Sequence, residues 1–187
     1  MKTIKLFFIS MLALAFVTSC SDDDDGPDPI IDQELITNVN VIFTPSNSAN
    51  EVVTLSAVSA DGIVAPNLNV TGDFVSGETY NATITITDEV NGENILEEIV
   101  EEKDEHFFVY SINSVDFTSM TRSANDEVRS DGESLGLNTT WVAGAAGSGS
   151  ITVQLIHEPT SVSDDNGFGS ASGGEFDVNN TWNVTID

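Results

Sequence analysis

The sequence predicts an all-β domain, a single immunoglobulin-like antiparallel β-sandwich with one short crossover helix. Three features point to it. Apolar side chains alternate at period two through several segments, Gly, Asn and Asp turns separate those segments, and a single segment has helical spacing. A doubly wound α/β fold would need repeated helices between strands. A small barrel is the main rival.

Leu35, Val39, Val41 and Phe43 lie on one face of the first strand, and Pro45 to Asn50 is turn material. Val53, Leu55 and Ala57 line the next strand, which pairs with the first as a hairpin. Asp61-Gly62 makes a turn before a short, weak strand around Leu68 and Val70. The cleanest alternation runs from Thr79 to Asp88. Tyr80, Ala82, Ile84 and Ile86 face inward there, while Asn81, Thr83, Thr85 and Thr87 suit a solvated sheet face.

Asn94 to Lys103 is the helix, with Leu96, Ile99 and Val100 on its apolar face and Ile95 flanking it. Asn94 and Glu97 have the spacing of a capping box. Strands follow at His106–Tyr110 and Val115–Met120, broken at Ser114. The run Phe107-Phe108-Val109-Tyr110 calls for cover on both faces, and the acidic helix is the expected cover. Arg122 to Ser134 reads as an excursion loop. Leu137–Val142, Ser150–His157 and Glu175–Ile186 complete the set, with Ser161 to Gly174 as a flexible hairpin connection. In the last strand Asn180 interrupts the apolar parity of Phe176, Val178, Trp182, Val184 and Ile186, so a bend or bulge is expected nearby. The total is seven to nine strands.

The amino terminus has a different character. Lys2 and Lys5 precede the apolar stretch Leu6–Val17, which is short for a membrane span and suits an export signal. Val17-Thr18-Ser19-Cys20 resembles the bacterial lipobox. That resemblance implies cleavage before Cys20, the only cysteine, and its modification by diacylglyceryl and palmitate-type amide chains. The run Ser21-Asp22-Asp23-Asp24-Asp25 resembles the export signal that carries Bacteroidetes lipoproteins to the outer face of the outer membrane. The expected organisation is a signal peptide at 1–19, a lipidated acidic tether at 20–34 and the sandwich at 35–187.

Without the leader, Lys103, Arg122 and Arg129 stand against 31 Asp and Glu. Nucleic acid and anionic headgroups both need clustered Lys and Arg, so neither is an expected partner. With Cys20 acylated no thiol remains for disulfides, zinc–thiolate sites or cysteine nucleophiles.

The segments Gly77–Thr83, Asp104–Phe108, Leu155–Pro159 and Glu175–Val178 carry a resemblance to short uncharacterised Bacteroidetes and flavobacterial lipoproteins over roughly residues 35–187. Some of that group bear an automated label of type 1 periplasmic binding fold. Such receptors resemble two α/β lobes of nearly twice this length. One helix cannot cover parallel sheets, so that fold is not expected here.

Candidate chemistry is sparse. His106 and His157 are the only imidazoles, each beside a glutamate (Glu105, Glu158), and such a set could bind zinc or run acid–base chemistry if it converged. A structural or exposed histidine is the commoner role. Asp126, Glu127, Asp131 and Glu133, or Asp164, Asp165 and Asn166, could supply oxygens to calcium, although neither loop has an EF-hand register. Trp141 and Trp182 could stack a sugar if exposed, with core packing the default. Gly147-Ser148-Gly149-Ser150 lacks the spacing of a nucleophile elbow. The expected function is therefore a surface-exposed, lipid-anchored module of structural, adhesion or accessory-binding type, without catalysis. It would contact membrane lipid through Cys20 and an envelope protein or polysaccharide through the domain. The alternative is a polysaccharide- or calcium-binding module serving an outer-membrane uptake system.

Overall fold

The computed structural model describes residues 35–187. The expected leader, Cys20 and the Ser21–Asp25 run lie outside the described residues. The domain is all-β with one short helix. Its elements are β1 (Asn38–Pro45), β2 (Val53–Val58), β3 (Asn67–Thr71), β4 (Thr79–Thr87), α1 (Ile95–Glu101), β5 (His106–Asn113), β6 (Phe117–Arg122), β7 (Asn138–Ala143), β8 (Gly147–His157), β9 (Ser161–Ser163), β10 (Ser170–Ser172) and β11 (Glu175–Ile186). Six strands form one antiparallel sheet in the order β3-β2-β1-β4-β7-β6, and three form a second in the order β11-β8-β5. A small β9–β10 ribbon is the third.

Alternation decides which residues form the core. Val39, Val41 and Phe43 of β1, Val53, Leu55 and Ala57 of β2, and Tyr80, Ala82, Ile84 and Ile86 of β4 are all buried, as their parity predicts. They share one apolar cluster with Phe108, Tyr110, Val153, Leu155, Trp182 and Val184 from the three-stranded sheet. The two sheets meet where β11 approaches β3. There Trp182 Nε1 donates to the Ser56 carbonyl at 2.8 Å, and Phe74 bridges Ile186 in parallel. Burying one such large side chain contributes roughly 1.5–3 kcal/mol.

Four expectations need correction. The described residues hold eleven strands, because the Ser161–Gly174 connection itself pairs as β9 and β10. The helix buries Ile95 and Ile99, one turn apart, and leaves Leu96 and Val100 half-buried. Its Asn94 side chain donates to Glu97 Oε1 at 2.9 Å and caps no backbone N–H, so the capping box does not close. The helix packs on β4, not over Phe107. Phe107 is instead covered by Arg122, whose Cζ lies 4.4 Å from the ring centroid, and more distantly by Arg129. Here the flat guanidinium supplies the second cover that the apolar run required. The irregularity expected near Asn180 is present as a bulge of β11 between Phe176 and Val178, which leaves Phe176 exposed.

The turn after β2 carries a pH-dependent element. Asp61 Oδ1 accepts the backbone N–H groups of Val64 and Ile63, which hold its carboxyl below the usual carboxylate range. A depressed acid adds local stability above its unfolded pKa, and that stability is lost as pH falls through the lowered folded value. Acidification should therefore increase amide exchange at Ile63 and Val64 relative to β1, measured by NMR. Equal change in an Asp61→Asn variant would count against this assignment.

Candidate functional site

Two local rules bring the two histidines together. His106 has the inward parity of Phe108 and Tyr110 on β5, and His157 has the inward parity of Val153 and Leu155 on β8. The antiparallel register then sets His106 directly opposite His157. Their rings stack with centroids 4.7 Å apart and planes 11° from parallel. His106 is buried, while the His157 side chain is 22% exposed.

The third member is Asp177, the extra residue of the β11 bulge. Regular alternation would turn it outward with Asn179 and Thr181. The bulge re-aims it inward instead, and its side chain is only 8% exposed. Its Oδ2 lies 3.7 Å from His106 Nε2 and its Oδ1 3.9 Å from His157 Nδ1. Both separations are too long for hydrogen bonds. Oδ2 is buried and has no hydrogen-bond donor among the described residues. Burial pushes the Asp177 carboxyl above the usual carboxylate range, opposed by His157 and His106 and reinforced by Glu175.

The surroundings orient the set. His106 Nδ1 lies 3.1 Å from the Glu102 carbonyl, which can only accept, so Nδ1 carries the proton and Nε2 faces Asp177. A Cβ at Gly174 would strike the His157 carbonyl, and its φ of +78° also favours glycine, so the β10–β11 turn can close against β8. On the far side of His157, Nε2 lies 3.9 Å from Glu105 Oε2, and Glu105 and Glu158 form an exposed second group around it.

The other anticipated residues serve different ends. Asp126 is buried and spends both oxygens on the N–H groups of Gly136 and Asn138. Glu127 pairs with Lys103 and Asp131 with Arg129, while Glu133 accepts the Asp164 N–H. Asp164 in turn accepts the Ser134 N–H, and Asn166 accepts the Gly169 N–H. These oxygens lock loops together, and among the described residues none of these carboxylates joins a group of three ligand atoms within 4.8 Å of one another. Trp141 and Trp182 are core residues, 0% and 1% exposed, and offer no ring to a sugar. Asp177 is the member that sequence reasoning missed. Its signal was the anticipated bend or bulge, which marks a place where strand parity fails.

A second surface is defined by its lack of charge. Across the outer face of the six-stranded sheet, one row runs Asn69–Ser56–Asn40–Thr85 and the next Thr71–Thr54–Ile42–Thr83–Asn138. A third runs Thr44–Asn81–Thr140–Thr121. None of these positions is Asp, Glu, Lys or Arg. Asn40 Nδ2 donates to Thr85 Oγ1 at 3.3 Å, and Thr140 Oγ1 to Asn81 Oδ1 at 3.1 Å. No protein family, curated protein or solved structure matches this chain.

Proposed function

We propose that this chain is a lipid-anchored domain displayed on the outer membrane, folded as an immunoglobulin-like sandwich, which works by contact and not by catalysis. Cys20 is its acylation site, and Ser21–Asp25 directs it outward. One observation supports the contact role. A chain with 31 Asp and Glu keeps a whole sheet face neutral and studs it with amides and hydroxyls.

Such a face attracts neither cations nor anions, and Ile42 is the one apolar side chain in its three rows. It suits a neutral, polyhydroxylated partner, a polysaccharide, through a lattice of donors and acceptors. Strands about 4.8 Å apart and same-face residues about 7 Å apart along each strand set that lattice. A single hydrogen bond gains only about 0.5–1.5 kcal/mol net, so useful adhesion comes from many anchored copies engaging one polymer.

Replacing Thr83 by Glu or by Lys introduces a charge at the centre of the face without touching the core. Both variants should keep the strand-rich circular dichroism of the parent. Both should also lose at least tenfold in retardation by neutral polysaccharide in affinity electrophoresis. Parental retardation in both variants would refute the contact surface. For display, protease added to intact cells should degrade the domain. Degradation only after the outer membrane is permeabilised would refute outward orientation, and an unmodified Cys20 in mass spectra would refute the anchor.

A further inference from the structure

We infer that His106 Nε2, His157 Nδ1 and the Asp177 carboxylate form a binding site for one divalent transition-metal ion of the zinc class. The site is separate from the sheet face and does not depend on its role.

The argument begins with a carboxylate that ordinary packing does not explain. Buried polar atoms almost always find a partner, and an unpaired buried carboxylate oxygen is costly. Asp177 Oδ2 has none among the described residues, yet a bulge holds it inside. The nearest explanation without a metal is a charged hydrogen bond from a protonated histidine. The separations of 3.7 and 3.9 Å are too long for that bond. They suit two atoms that share an ion. With metal–ligand bonds of about 2.0–2.2 Å in tetrahedral geometry, neighbouring ligand atoms lie roughly 3.3–3.6 Å apart. The ligand atoms of all three residues fall within 4.8 Å of one another, and because the two rings lie 11° from parallel, one ring must turn out of the stack for both lone pairs to aim at one ion.

The protonation pattern points the same way. A metal-binding histidine commonly donates its other ring N–H to a carbonyl or carboxylate, which fixes the tautomer and turns the lone pair toward the ion. His106 has this arrangement, with Nδ1 on the Glu102 carbonyl and Nε2 toward Asp177. Ligand type selects the ion. Two imidazoles and one carboxylate suit zinc and its neighbours, whereas calcium takes six to eight oxygens. Three protein ligands leave a fourth position for water or an exogenous donor. The His157 side chain, 22% exposed, opens the set to solvent, and Asp177 also borders a cleft of about 230 Å³ lined by Thr37, Ser59 and Asn179.

The test uses the untagged full chain and Zn²⁺ alone, titrated against a chromophoric chelator. One equivalent should bind, an excess of Ca²⁺ should not displace it, and Co²⁺ in its place should give the visible absorption of a tetrahedral site. Asp177→Asn is isosteric and should weaken Zn²⁺ binding at least tenfold, as should His157→Gln on the partly exposed ligand. Asp131→Asn, in the acidic loop, should leave binding unchanged. Absence of stoichiometric Zn²⁺ binding would overturn the inference. So would binding that survives both Asp177→Asn and His157→Gln, or binding lost in Asp131→Asn. Because Asp177→Asn preserves shape, the result does not depend on whether the histidine variant folds.

Discussion

Trp141→Ala lowers the unfolding free energy by about 3–5 kcal/mol, the range for deleting a fully buried large aromatic. Trp141 is 0% exposed and stands at the centre of the aromatic core. Its ring meets Phe43, Tyr110, Phe117 and Phe168 edge-on, with centroids 5.2–5.7 Å away. Each such pair adds about 0.5–1.5 kcal/mol beyond area burial. The alanine variant loses these contacts and leaves a cavity that four different segments would have to collapse to fill. Trp141→Phe keeps a ring and should cost clearly less, although it removes the donor to Thr139 Oγ1. Urea denaturation measures both. An alanine variant within 1 kcal/mol of the parent would contradict the central position assigned to this ring.

Arg122→Met should cost a similar amount, about 3–5 kcal/mol, for a different reason. The guanidinium of Arg122 donates to three carbonyls from three segments: Gly167 at 3.0 Å, Ser134 at 2.5 Å and Phe108 at 2.6 Å. It also covers the outer face of Phe107. Burial pushes its pKa down, while Asp126, Asp164 and Glu133 nearby support the charge. Methionine fills part of the volume but leaves three carbonyls without their donor, each worth about 1–3 kcal/mol if unsatisfied. Arg122→Lys should rescue little, since an ammonium on a single stem cannot reproduce a planar fork aimed at three acceptors. The check is urea denaturation together with hydrogen exchange around Phe168, which should rise most where the clamp is lost. Parental stability in Arg122→Met would show that the carbonyls find water instead.

These two residues also show what was legible in advance. The inward faces of β1, β2 and β4 follow directly from alternation, because the direction of a strand side chain is a local property. Trp141 could be assigned to the core on the same ground. Nothing local marks Arg122 as the clamp, since its three acceptors lie 12 to 45 residues away along the chain. The helix illustrates an intermediate case. Its existence followed from spacing, but whether Ile95 or Leu96 faced the core depended on how the helix meets β4.

The acidic loop between β6 and β7 was illegible for the same physical reason. In sequence, Asp126, Glu127, Asp131 and Glu133 resemble a reservoir of oxygens. In space each is consumed by a different backbone or basic partner, and Asp126 is buried. Composition reports how many carboxylates a segment has, not where their lone pairs go.

Side-chain periodicity and turn chemistry, which act over a few residues, were enough to specify an all-β domain over residues 35–187, most of its strands and most of its core. Register between distant strands and the placement of one bulge act over the whole domain. They alone set His106 opposite His157 and turned Asp177 inward between them. Without that pairing, two histidines and an aspartate far apart in the chain carry no shared chemistry.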